Sequence, residues 1–337
     1  MTVPDNRGRG ILFGDVCVDL VLSVSEEAGK ARRQASPEVH GGGTVANTAV
    51  ALARLGVKTH FVGVVGDDLF GREALEELVA EGIDISCVEL SGQRPTMIVI
   101  ALIDAAGQRT VLGWPRRDQA FAELHQRQLD GLELTARDWL HTSGVCMVQE
   151  PGRQATLRAL DWARVRKIRS SFDLNLRLGL EGDSLPASYV EALWAAIRRA
   201  DFVLGSADEE LFHLIPAEPD LRRATARLAK EGQCVAIMRE GPVGAHVSEF
   251  GSPAVTIPPF RVPVVDTLGA GDSFDAGFME AGLSGCSLAE QVIRGHAVAA
   301  LQIGRAGARS SPRRKELDRF LANRSDPTPG WETSTGR

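Results

Sequence analysis

Short apolar runs alternate with longer amphipathic stretches along most of this chain, and that alternation restricts the fold more than any other feature. Residues 11–16, 60–65, 139–143, 167–173, 202–204, 235–238, 245–247 and 255–257 have the length and side-chain content of buried strands. Between several of them, residues 44–55, 72–79, 191–199, 221–230 and 288–303 repeat apolar positions with a helical period. Parallel strands need long crossover connections, which helices supply. The expected body is therefore α/β, with a central, mostly parallel sheet flanked by helices.

Two further apolar segments, 18–24 and 97–103, fall outside this rhythm. A turn at 104–107 leads to another strand-like stretch at 110–112. They predict a small β lid, with segments near 18–24 and 94–114, inserted in one large domain over residues 11–322. The polar stretch 323–337, with Pro327, Pro329 and Gly330, predicts a flexible tail. At 337 residues, the chain can hold a substantial core, and its 44% hydrophobic content is globular.

Charge and patterning exclude several classes. The 38 basic and 44 acidic residues give −6, and no lysine-rich block offers a nucleic-acid footprint. The longest uninterrupted apolar run, 97–103, falls far short of the ~18 residues of a spanning helix, so no membrane partner is expected. Asp15 and Asp19 follow the first apolar run too closely for a signal-peptide core, which predicts a cytoplasmic protein. The cysteines, Cys17, Cys87, Cys146, Cys234 and Cys286, are widely spaced and read as reduced thiols.

The strongest chemical signal is DTLGAGDSFDAG, residues 266–277. Gly269, Ala270 and Gly271 can turn backbone N–H groups toward a phosphate, and Asp272 stands where a helix can begin. An isolated Asp there would read as a helix cap, but the glycines and the second acid, Asp275, favour a functional site. Other chemistries lack their signatures. AGKA near Lys30 is not a Walker A sequence, no GxGxxG follows a strand, SGVC is not a nucleophile elbow, and the seven histidines form no HExxH.

In this segment the chain resembles the PfkB carbohydrate-kinase family, also called the ribokinase family. VGVVGDDLFG at 62–71 and HGGGTVANTA at 40–49 extend the resemblance. It implies a ribokinase-like fold and ATP-dependent transfer of the γ-phosphoryl group to a hydroxyl of a small carbohydrate, with Mg²⁺. Asp272 would be the catalytic base, and the backbone at Gly269, Ala270 and Gly271 would stabilise charge on the transferring group.

On the acceptor side the resemblance points to Asp19, Gly42, Gly43 and Asn47, with Asp15 beside them; Asp15 and Asp19 can also be read as turn caps, and Asn47 as a helix cap. In FDLNLR, Asp173, Asn175 and Arg177 form a DxNxR pattern similar to kinases of ketohexoses and 2-keto-3-deoxy sugar acids, although Arg177 also suits a surface ion pair. The nucleotide side would include Ser206, Glu209, Arg239, Gly241, Gly244 and His296. Ser206 replaces the usual Asn of an NxxE pattern, in which Glu209 would act on Mg²⁺ through water, and His296 stands where many relatives have Asn. Asp266 and Thr267 resemble residues near a monovalent-cation loop, which makes K⁺ a candidate. Ribokinase or nucleoside kinase activity is the alternative, and a catalytically weak carbohydrate sensor is the reading from another class. A homodimer through the lid is also expected by analogy.

Overall fold

The first strand, β1 (Gly10–Phe13), enters the core with all four residues buried. After it come β2 (Cys17–Glu27), β3 (Lys30–Arg33), β4 (Glu38–Gly42), α1 (Thr44–Arg54), β5 (Thr59–Val62), β6 (Val64–Gly66), α2 (Leu69–Ala80), β7 (Glu89–Ser91), β8 (Met97–Ile103) and β9 (Arg109–Trp114). The second half alternates more regularly: β10 (Trp139–Ser143), α3 (Gly152–Val165), β11 (Arg169–Asp173), α4 (Ala187–Ile197), β12 (Phe202–Ser206), α5 (Ala207–Leu214), α6 (Leu221–Gly232) and β13 (Val235–Glu240). It closes with β14 (Gly244–Glu249), β15 (Val255–Ile257), α7 (Ala270–Leu283), α8 (Leu288–Ile303) and α9 (Arg314–Ala322). This computed structural model describes residues 8–27, 30–33, 38–103, 109–114, 117–176 and 185–323. The turn expected at 104–107, the tail from 324 and Arg177 lie outside them.

Eight strands form the main sheet in the order β15-β14-β13-β12-β11-β10-β1-β5, parallel from β13 to β5 and antiparallel at β14 and β15. Apolar side chains leave both faces. Phe13 and Phe172 pack with α3, α4, α5 and α6 on one side, while Leu12, Phe61 and Trp139 pack with α1, α7 and α8 on the other. Burying each such aromatic contributes about 1.5–3 kcal/mol, which fixes strand register against slippage. The α/β class and the mostly parallel sheet expected from the sequence are thus present.

The lid sheet runs β3-β2-β8-β9, with β4 pairing on β2. It is larger than the segments read from sequence, because β3 and β4 also belong to it. β4 carries Gly41 and Gly42, so the glycine stretch that precedes α1 sits on a lid strand.

Three local expectations need correction. The single strand over 60–65 is broken at Gly63, whose carbonyl accepts from Glu89 N–H (3.1 Å) and Gln128 Nε2 (2.9 Å), and β6 leaves the main sheet to pair with β7. The helix expected over 72–79 already begins at Leu69, since Asp68 caps α2 by accepting from Gly71 N–H (2.8 Å). Finally, the helix expected over 288–303 is followed by α9, which none of the expected helical stretches covers.

α7 positions the centre of the molecule. Gly269, at φ 72°, makes the left-handed turn into it, and a Cβ there would lie 2.3 Å from the Ala308 carbonyl oxygen. From Asp272 to Leu283 every residue of the helix is buried. α7 packs unusually close to α8 at Gly277, where a Cβ would sit 2.7 Å from the Arg294 carbonyl oxygen. Among the described residues no helix is long and apolar enough to cross a membrane.

Candidate active site

The C-terminal ends of the parallel strands converge on the start of α7. Asp15 follows β1, Ser143 ends β10, Asp173 ends β11, Ser206 ends β12, and Arg239 lies near the end of β13. An open α/β sheet binds ligands at this edge, where loops leave the strands in opposite directions.

Asp272 lies in the first turn of α7 and is 8% exposed. Burial raises its carboxyl to about 7, Asp173 and Asp15 push the same way, and the Asn47 hydrogen bond and Arg239 oppose them. Asn47 Nδ2 donates to Asp272 Oδ2 at 2.9 Å. A carboxylate poised near neutrality can accept a proton from a hydroxyl. Ahead of it, the Ala270 N–H is turned to the Thr267 carbonyl (3.2 Å) and Ser273 N–H to Gly269 (2.9 Å). The first-turn N–H groups of Gly271 and Asp272 lack intrahelical acceptors and, at the positive end of the helix dipole, suit an anion.

One chain of contacts brings together the residues expected on the acceptor side. Asn47 Oδ1 accepts from Arg309 Nε (3.0 Å), and Arg309 Nη2 donates to the Gly42 carbonyl (3.0 Å). A Cβ on Gly42 would meet Asp19 Oδ1 at 2.6 Å, so only glycine lets the lid strand pass this carboxylate. Asp19 is raised from its ordinary range by burial, against the opposing charge of Arg309. Gly43, at φ 96°, then turns the chain into α1. Asp15 is used differently. Its oxygens accept from Thr44 N–H (2.8 Å), Thr44 Oγ1 (3.0 Å) and Val45 N–H (3.3 Å), so it caps α1 and fixes Asn47 one turn later.

Beneath Asp272 lies a second network. Arg239 Nη2 donates to Asp173 Oδ1 (2.9 Å), and its Nη1 donates to Asp275 and to the Gly271 carbonyl (3.1 Å). Burial alone would lower the guanidinium, but Asp275 and Asp173 outweigh it, and the net shift is upward. Asp275 Oδ2 is buried, has no hydrogen-bond partner among the described residues and faces His141 Nε2 at 3.9 Å, while His141 Nδ1 lies 2.8 Å from Ser171 Oγ. Burial lowers His141 to about 4, so the imidazole is neutral near pH 7.

The remaining sequence candidates are dispersed. Glu209 is exposed in the first turn of α5, and Ser206 Oγ donates to Asp208 (2.9 Å). Its neighbour Glu210 is the buried acid: it accepts from Leu176 N–H and Ser206 N–H, both at 2.7 Å, and burial raises it to about 7. Gly241 and Gly244 flank the short turn between β13 and β14, and none of the described residues approaches the Cβ side of Gly241 within 4 Å. His296 is buried, with Nε2 3.1 Å from the Ile257 carbonyl and its ring edge-on to Phe274. Asp266 accepts from Leu268 N–H (3.1 Å) and Gly307 N–H (3.0 Å), tying the loop before α7 to the loop after α8. Asn175 Nδ2 donates to Asp173 Oδ2 (3.3 Å). Sequence reasoning missed Arg309, Glu210, Glu77 and His141; Arg309 is one of two arginines among small residues at 304–311, and nothing local separates it from Arg305.

The family model described as pfkB family carbohydrate kinase matches residues 10–315. A fructokinase of Klebsiella pneumoniae is 33% identical over 279 residues, covering 82% of this chain and 85% of the relative. An ATP-dependent ribose-1-phosphate kinase of Halopiger xanaduensis is 30% identical over 322 residues, covering 94% and 99%. The crystal structure of aminoimidazole riboside kinase from Salmonella enterica, complexed with aminoimidazole riboside and an ATP analog, superposes with a TM-score of 0.79 at 27% identity, covering 93% of this chain and 100% of that one. With its α/β sheet, its lid and an aspartate buried at a glycine-led helix start, the chain belongs to the pfkB family of carbohydrate kinases.

Proposed function

We propose that the protein transfers the γ-phosphoryl group of ATP to a hydroxyl of a small carbohydrate, with a ketohexose or a 2-keto-3-deoxy sugar acid as the favoured acceptor. The observation that carries this reading is Asp272, a buried carboxylate at about 7, held by Asn47 beside the N-terminus of α7. Asp272 takes the proton of the attacking hydroxyl as the new O–P bond forms. The first-turn N–H groups meet the negative charge of the transferring phosphoryl group, which water would otherwise solvate. Asp19, Gly42, Gly43 and Asn47 hold the acceptor, while Ser206, Glu209 and Gly241 serve the nucleotide.

Among the described residues no group of three or more His, Cys, Asp or Glu could hold a metal ion. Mg²⁺, which keeps several waters and binds phosphates, would neutralise phosphate charge, with Glu209 acting through its water shell. Asp266 and Thr267 stand on the loop where K⁺ would bind. The exposed lid side chains Val39, Leu112 and Trp114 support a homodimer through the lid.

The relatives named above include a fructokinase and a ribose-1-phosphate kinase, so the acceptor needs a direct test. An Mg-ATP assay across fructose, 2-keto-3-deoxygluconate, ribose, inositol and nucleosides should give the highest kcat/KM with fructose or the sugar acid. A clear preference for ribose or a nucleoside would overturn the acceptor class, and no turnover with any acceptor would favour a carbohydrate sensor. Asp19→Ala should raise the acceptor KM about tenfold or more, through loss of hydrogen bonds to a charged group, with little change in the KM for ATP. Parallel titrations decide it: a change confined to ATP would remove Asp19 from the acceptor site.

A further inference from the structure

Arg309 lies between α8 and α9, far in sequence from every residue it serves, and its side chain is 9% exposed. Its Nε donates to Asn47 Oδ1 (3.0 Å), its Nη2 donates to the Gly42 carbonyl (3.0 Å), and its Nη1 pairs with Glu77 of α2. The guanidinium also lies against the lid strand at Gly41, where a Cβ would fall 1.8 Å from Nη1.

The chemistry of these groups fixes an orientation. A guanidinium has donors and no acceptor, so the Asn47 atom that faces it must be the amide oxygen. The amide nitrogen is then left facing Asp272, at 2.9 Å from Oδ2. We propose that Arg309 is a positioning residue that locks the Asn47 amide so that its N–H is directed at the Asp272 carboxylate, and that it ties this arrangement to the lid strand through Gly42. The inference rests on the reading of Asp272 as the base.

Without Arg309, the amide can turn its oxygen toward Asp272, an arrangement compatible only with a protonated carboxyl. The other groups around the base stay in place: Asp15 after β1, Asp173 from β11, Arg239 from β13 and Asp275 one turn along α7. Arg309 itself faces Glu77 and Asp19, so its loss also removes a cation near the acceptor carboxylate. That second effect belongs to acceptor KM, whereas the amide effect belongs to the pH dependence of kcat.

The test is the pH profile of kcat at saturating Mg-ATP and acceptor for wild type, R309M, N47A, the double variant N47A/R309M and D272N. R309M should move the acid limb upward by about one pH unit, an approximately tenfold loss at pH 6 with a smaller loss at pH 9. N47A should move the limb similarly, and R309M should move it no further in the N47A background. A limb left in place by R309M, or shifted equally with and without Asn47, overturns the inference if D272N is inactive. Full turnover by D272N would instead overturn the base assignment beneath it. If R309M does not fold, R309Q, which no longer dictates the amide orientation, is read in its place with the same expectations.

Discussion

Asp272→Asn is expected to lower kcat about 10²–10⁴-fold while the protein stays folded and binds acceptor. The two side chains are nearly the same size, and Asn can still accept from Asn47, so the loss falls on proton transfer. Wild-type activity carries a second signature. Because burial raises Asp272 to about 7, the ionised base is lost as pH falls, so kcat should decline below about pH 7. D272N should show a low rate without that limb. Steady-state profiles of both proteins from pH 5.5 to 9 check the assignment, and a wild-type rate in D272N would reject it.

Arg239→Met has the second large effect, expressed first in stability. It removes the cation between Asp173 and Asp275, side chains that are 3% and 1% exposed. Breaking a buried pair on one side typically costs about 3–5 kcal/mol, because the remaining charge is stranded. For a chain of 337 residues, with an unfolding entropy of about 2.1 cal/mol/K per residue, that corresponds to a fall of roughly 4–7 °C in Tm. The pH dependence has a definite sign. Without Arg239 the Asp275 carboxyl, which burial already raises, loses the cation that opposes that rise, so the fold is least stable at high pH, and the loss should shrink as pH falls from 8 to 5.5. Turnover should also drop, since Arg239 holds the Gly271 carbonyl at the start of α7. R239K restores charge without the planar fork and should lie between the two. Thermal melts of R239M that match wild type at pH 8 would remove this network from the account.

These two residues also mark the limit of what the sequence discloses. Asp272 is legible because its chemistry is local: the glycines that set the turn, the acid and the helix they open are consecutive. The strands are legible for the same reason, as short apolar runs with helical stretches between them. The partners that give Asp272 its properties are not local. Asn47 lies 225 positions away, and Arg309 lies 262 positions from Asn47 and 267 from Gly42. Only the closing of the sheet and the packing of α7 against α1 and α8 bring them together.

The same reasoning explains the residues whose settings were unexpected. Asp15 and Asp19 are four positions apart with similar flanking sequence, yet Asp15 caps α1 and Asp19 lies beside the lid glycines. Glu209 and Glu210 are adjacent, and helical rotation exposes the first and buries the second. Gly63 breaks the strand within a continuous apolar run because Glu89 N–H and Gln128 Nε2 both donate to its carbonyl, contacts invisible from residues 60–65 alone.

The most direct test of the proposed chemistry is a crystal structure with the preferred acceptor and a non-hydrolysable ATP analog. The attacking hydroxyl should lie within about 2.6–3.2 Å of an Asp272 carboxylate oxygen. The γ-phosphate should stand in line with that hydroxyl and against the first-turn N–H groups of α7. A closed, transfer-competent complex with both reacting groups remote from Asp272 would contradict the account.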